Sequence, residues 1–152
     1  MSSTYTYVTY IRSTPAKIWS AITTPEFMRQ YWFGQQFETD WKQGSPIRLL
    51  NKDGSAAVSG KIMECAPEKR LVMTWHDTRR NEPPTRCAID LEKVEGGAVK
   101  LSILHTSEAD NSQVIVSVSG GWPLVLSNLK SLLETGKLAF TPEEAQTPPQ
   151  CA

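Results

Sequence analysis

The side chains that could carry chemistry in this 152-residue chain are few: two histidines, His76 and His105, three cysteines, and carboxylates dispersed along the sequence. Nucleophilic catalysis needs a Ser, Cys or Lys beside a base that is itself held in place. No G-x-S-x-G elbow occurs, since Ser119-Gly120-Gly121 lacks the leading glycine. Cys65, Cys87 and Cys151 are odd in number and never at metal-motif spacing, so they read as reduced thiols, and no metal or cofactor is expected. Phosphate-binding glycine loops are absent. His76 and Asp77 are adjacent, so a strand sends them to opposite faces.

Two weak catalytic candidates remain, His105 and Glu64. His105 ends an apolar strand face and, as an imidazole, belongs to the side-chain type that titrates near neutrality, so it suits an acid, a base or a donor to a ligand; the plainer reading is a histidine satisfied by a nearby backbone carbonyl or by water. Glu64 shares the register of Val58 and Ile62, which sends its carboxylate into the interior if that face is concave. If the strand bulges at Gly60, Glu64 faces solvent, and both readings stand open. Five tryptophans suit a cavity for a flat or lipidic molecule, although Trp19 and Trp122 also fall at helical core spacing. Tyr31-Trp32-Phe33 cannot all face one way, so part of that cluster must be exposed or line an opening.

The elements that position these residues follow from periodicity and punctuation. Residues 4–12 alternate as a strand and stop at Ser13-Thr14-Pro15, a hydroxyl cap before a first-turn proline that opens a helix to about Thr23. Thr24-Pro25-Glu26 starts a second short helix. From Gln35 five or six strand-like runs follow with no helical pattern between them, which predicts an antiparallel meander. Pro46 to Asn51 and Ala57 to Cys65 flank Asp53-Gly54, a pair expected to supply the positive φ angles of a tight hairpin. Arg70 to His76, Thr85 to Val94 and Ala98 to Thr106 continue the sheet, with His105 on its buried side. Gly120-Gly121 then introduces Trp122-Pro123, and a helix with an apolar stripe is predicted to about Leu138. Residues 1–140 read as a single domain, and 141–152 as a disordered tail rich in Pro, Glu and Gln.

Sixteen basic and sixteen acidic residues cancel, with no block of like charge, so no nucleic-acid or anionic-lipid footprint appears. Neither a spanning apolar segment nor a signal-peptide pattern is present, so no membrane insertion is expected and the cytoplasm is the expected location.

Ser13-Thr14-Pro15-Ala16-Lys17-Ile18-Trp19, Thr24-Pro25-Glu26-Phe27, Tyr31-Trp32-Phe33-Gly34, Arg70 to His76 and Gly120-Gly121-Trp122-Pro123 with Leu126, Leu129 and Leu133 together carry a resemblance. Over about residues 4–139 the chain resembles the SRPBCC superfamily, the START- and Bet v 1-like helix-grip proteins, and within it the branch homologous to the activator of Hsp90 ATPase. The resemblance implies an α+β helix-grip fold, a curved antiparallel sheet wrapped around a long C-terminal helix with two short helices after strand one. It implies a cavity between sheet and helix, with Trp32 and Phe33 at the mouth, Met73, Trp75 and His105 on the strands, and Trp122 and Leu126 on the long helix. The expected function is binding or carriage of a hydrophobic small molecule without covalent chemistry. The alternatives are a cyclase or dehydratase of polyketide-like substrates using His105 or Glu64, and a module that docks on a chaperone or on a second copy as a homodimer. The eukaryotic chaperone activators carry an additional N-terminal domain that this sequence lacks, which argues against the chaperone reading.

Overall fold

The computed structural model describes residues 2–140; the expected tail and Cys151 lie outside the described residues. Strand β1 (Ser3–Ile11) is followed by helices α1 (Pro15–Thr23) and α2 (Pro25–Tyr31). Six strands come next, β2 (Gln36–Thr39), β3 (Pro46–Leu50), β4 (Ala56–Ala66), β5 (Arg70–Asp77), β6 (Thr85–Val94) and β7 (Ala98–Ser107), and then the long helix α3 (Gln113–Thr135). The strands form one antiparallel sheet in the order β1-β7-β6-β5-β4-β3-β2. It curves around α3, which gives the expected α+β helix-grip arrangement. Among the described residues no helix is long and apolar enough to cross a membrane.

Local chemistry explains the helix starts. Thr14 adopts an extended conformation and its Oγ1 accepts from Lys17 N at 3.2 Å, while Pro15 occupies a first-turn position where an N–H has no helical partner. In α1 the stripe Ile18, Ala21 and Ile22 is buried. α3 differs from the sequence expectation at both ends. It begins nine residues before Trp122, so Pro123 sits inside the helix rather than in its first turn, and it stops at Thr135, where Gly136 caps it with φ +80°. The physical reason for the early start is tertiary. Ser112 Oγ accepts from Ile115 N, and the Glu82 carboxylate, arriving from the β5–β6 loop, accepts from Ser112 Oγ (2.6 Å), Gln113 N (2.8 Å) and Val114 N (3.3 Å). A negative charge on otherwise unpaired N–H groups favours a helix N-terminus. Burial of Val114, Ile115 and Val118 does the rest.

Helix α3 runs beside β1 in the same direction and ties down both its ends. Ser3 Oγ accepts from Ser112 N at 3.1 Å, Lys130 Nζ donates to Tyr10 O, and Glu134 Oε2 accepts from Arg12 N at 2.7 Å. The helix thereby shields an edge strand that would otherwise offer its ladder groups to another chain.

Two turns refine the hairpin reading. Between β3 and β4 only Gly54 has positive φ; Gly54 N bonds to Asn51 O and Asn51 N to Ser55 O, a three-residue loop in which Asp53 does not take the positive φ expected of it. In β4 the register slips between Ile62 and Glu64, two residues beyond the suspected Gly60. Gly60 has a separate role: a Cβ there would lie 1.9 Å from the Thr74 carbonyl oxygen, and Lys61 N bonds to Thr74 Oγ1 instead of continuing the ladder. Gly60→Ala should therefore cost about 1–3 kcal/mol in chemical denaturation, because the overlap is with backbone. Gly120→Ala, with nothing within 4 Å, should cost nothing. Equal midpoints for the two variants would refute the close approach.

Candidate functional site

The interior between the sheet and α3 is organised around three tryptophans delivered by three elements. Trp32 is the C-cap of α2, Trp75 lies on β5 and Trp122 on α3. All are fully buried, with Trp32 and Trp122 ring centroids 5.2 Å apart and Trp75 and Trp122 5.8 Å apart. Phe37 meets Trp32 edge-on at 5.3 Å. Met73 and Leu126, which the resemblance put in the same interior, are buried with them, and Phe33 is half-buried against the core. The expected lining residues are thus buried in one core, and the rings of the three tryptophans meet across the expected cavity. A hollow of about 570 Å³ is bordered by Met63, Glu64, Thr74, Arg86 and Thr106 on the outer side of the sheet.

His105 is buried on the concave face, between Trp75 and Trp122. Trp122 Nε1–H donates to His105 Nδ1 at 3.3 Å, so Nδ1 is unprotonated and the ring proton sits on Nε2, which faces Thr85 Oγ1 at 2.7 Å. Thr85 Oγ1 in turn donates to Trp75 O at 3.0 Å. Donors and acceptors match along this whole relay, and burial pushes the imidazole down to a pKa of about 3. A neutral ring with both nitrogens engaged orients Trp122 and has no free position from which to move a substrate proton.

Glu64 is on the other side of the sheet. The bulge after Ile62 turns it outward, corrects the reading that placed its carboxylate in the interior, and leaves its side chain 53% exposed, 3.4 Å from Arg70 and 3.9 Å from Arg86. Among the described residues no His, Cys, Asp and Glu cluster could hold a metal.

Three polar positions escaped the sequence reading. Asp77 ends β5 on the buried face, the side opposite His76, and this alternation was the signal that could have found it. Its carboxylate meets Arg79 (3.1 Å) and Arg80 (3.3 Å), and Arg80 continues to Ser117 of α3. Burial pulls the Asp77 carboxyl up, but hydrogen bonds from Arg79 and the charges of both arginines outweigh it and hold it below the ordinary carboxylate range. Asn128, buried on α3, donates to Tyr31 O and accepts from Phe140 N, fastening α2 and the segment after α3 to the helix. Gln35 is buried just after α2; its Nε2 donates to Asn51 Oδ1 at 2.7 Å, and its Oε1 has no partner. Buried Trp32 Nε1 has none either.

Between those two residues the backbone is strained. α2 closes with Gly34 N bonding to Arg29 O at 3.1 Å, a termination in which the preceding residue is left-handed and normally glycine. Here that residue is Phe33, with φ +52°.

Comparison with known proteins agrees with this architecture. The crystal structure of CalU16 from Micromonospora echinospora superposes with a TM-score of 0.71 at 22% identity, covering 89% of this chain and 78% of that one. The solution structure of the Aha1 dimer from Colwellia psychrerythraea gives 0.70 at 22% identity, covering 89% and 98%. PFC0360w, an HSP90 activator from Plasmodium falciparum, gives 0.71 at 20% identity, covering 86% and 95%. At these identities the likeness is one of fold. No curated protein matches the chain. The sequence model of the Activator of Hsp90 ATPase homolog 1-like proteins matches residues 12–134, most of the chain, and by that match the chain belongs to this family of the SRPBCC superfamily.

Proposed function

We propose that this domain binds a small hydrophobic molecule in the interior between its sheet and α3, and performs no covalent chemistry on it. The observation that carries the reading is the meeting of Trp32, Trp75 and Trp122, from three different elements, around a neutral histidine. Large rings with one polar edge each suit a flat apolar ligand. Because these rings touch, binding requires them to part, and Phe33 and Trp32, on a strained helix end, are the side chains placed to move. The cyclase alternative draws no support from His105, whose nitrogens are both engaged, or from Glu64 on the outer face.

A thermal-shift screen of lipids, steroids and aromatic polyketides tests the reading, since a ligand bound only by the folded state raises Tm with concentration. A saturable rise that disappears in Trp32→Ala supports it. Absence of any rise across the three classes contradicts it.

A second reading, self-association, is favoured by Val8, Tyr10 and Leu104, which are 39–52% exposed on the outer face of β1 and β7. The solution structure of the similar Colwellia protein is described as a dimer. Sedimentation equilibrium with the Leu104→Lys variant decides it: a dimer abolished by the charge supports a second copy on this face, and a monomer at every concentration removes it.

A further inference from the structure

We propose that the turn at residues 32–35 is a two-point hydrogen-bonding clamp that selects neutral, flat molecules whose polar end carries an acceptor beside a donor, as a primary amide does. This rests on the interior-ligand reading and narrows it to one chemical class.

Among the described residues, three buried side-chain atoms have no hydrogen-bond partner: Trp32 Nε1, Gln35 Oε1 and Arg80 Nε. Arg80 Nε lies 3.3 Å from the Asp77 carboxylate and is compensated by charge. The other two fall within one four-residue turn, closed by Gln35 N donating to Trp32 O at 3.0 Å. Folded proteins rarely leave a buried donor or acceptor unmade, because its lost hydration is not returned. Here one donor and one acceptor are left three positions apart in the sequence, on residues that are 2% and 5% exposed. A ligand offering a carbonyl oxygen to the indole N–H and an N–H to the Gln35 carbonyl oxygen satisfies both.

The backbone is a second, independent observation. Left-handed Phe33 occupies the place where the helix ending calls for glycine, and such strain gathers at ligand clamps. The ring it carries is half-buried against the core.

The surroundings set the ligand's charge and shape. Trp32 meets Tyr31, Phe37 and Trp122 at ring-centroid distances of 6.1, 5.3 and 5.2 Å, so a flat apolar body is favoured. The rings around Trp32 carry no charge and His105 beside Trp122 is neutral, so an ionised head among them would be buried without a counter-charge.

Three naphthalenes of nearly one shape separate the contributions in an NMR-monitored titration of the whole chain. 2-Naphthamide presents acceptor and donor, 2-acetonaphthone keeps only the acceptor, and 2-isopropenylnaphthalene has neither. The expected order of affinity is amide, ketone, hydrocarbon, with about a fivefold to tenfold loss at each step, the usual worth of one hydrogen bond. Gln35→Met should abolish the amide's advantage over the ketone, and Trp32→Phe the ketone's advantage over the hydrocarbon. Equal affinities for all three in the wild-type chain overturn the clamp while leaving the interior site standing. Failure of all three to bind overturns the clamp, and the thermal-shift screen of lipids, steroids and aromatic polyketides then decides the interior site separately. The wild-type series needs no variant, so a variant that folds poorly does not protect the proposal.

Discussion

Lowering the pH from 6.5 towards 4 is expected to destabilise the folded chain steeply, and His105→Gln is expected to remove most of that slope. The unfolded imidazole takes a proton near pH 6.5, whereas the buried ring does so only at about 3. Between those values the unfolded state binds more protons, so folding stability rises with pH there. Stability is therefore complete above about pH 6.5 and falls by up to about 1.4 kcal/mol per unit below it, to a total of roughly 2–3 kcal/mol by pH 4.5. The carboxylate of Asp77 contributes in a different window. Its folded value is depressed, so its stabilisation is present above the unfolded carboxyl value and lost as pH falls below it. The interval from 6.5 to 4.5 is thus governed by His105 among the buried groups described. Glutamine can accept from Trp122 and donate to Thr85 without titrating there. Urea unfolding at several pH values checks this, and an unchanged slope in His105→Gln would refute the neutral relay.

Trp122→Ala should cost about 3–5 kcal/mol, the range for deleting a fully buried aromatic side chain. The residue touches Trp32 and Trp75 and gives His105 Nδ1 its donor, so the truncation removes packing and a hydrogen bond together. Trp122→Phe separates the two. It retains most of the packing, leaves the buried Nδ1 acceptor unpaired, and should cost about 1–3 kcal/mol. Since Pro123 already withholds an N–H from the carbonyl of Ser119, this part of α3 depends on such side-chain contacts more than an uninterrupted helix would. A loss under about 1 kcal/mol for Trp122→Ala would show that the tryptophan cluster is not the centre of the core.

The strands and the first two helices were legible because each carries its own punctuation. Thr14-Pro15 and Thr24-Pro25 announce helix starts, and the alternation of β1, β6 and β7 needs no partner to be read. What the sequence concealed depends on contacts between distant residues. Gly120-Gly121-Trp122-Pro123 has the composition of a helix start, and only Glu82, thirty residues before Ser112, shows that the helix begins earlier. Glu64 lies in an alternating run whose register slips by one at the bulge, and a one-residue slip exchanges the two faces of a strand. Of the candidate site residues, which the resemblance set around a cavity, Trp32, Met73, Trp75, His105, Trp122 and Leu126 lie together in one buried core. Gln35 escaped notice because a single glutamine at the start of a strand looks like surface until the turn folds over it.

The most direct measurement is the ¹H–¹⁵N spectrum of the tryptophan indoles during titration with 2-naphthamide. A molecule entering between the sheet and α3 must displace the indole signals of Trp32, Trp75 and Trp122 together and saturably, with Trp32 moving furthest as its N–H gains an acceptor. Shifts confined to backbone amides of Val8, Tyr10 and Leu104, or indole signals unmoved at saturating compound, would contradict the account and place any binding on the outer face of the sheet.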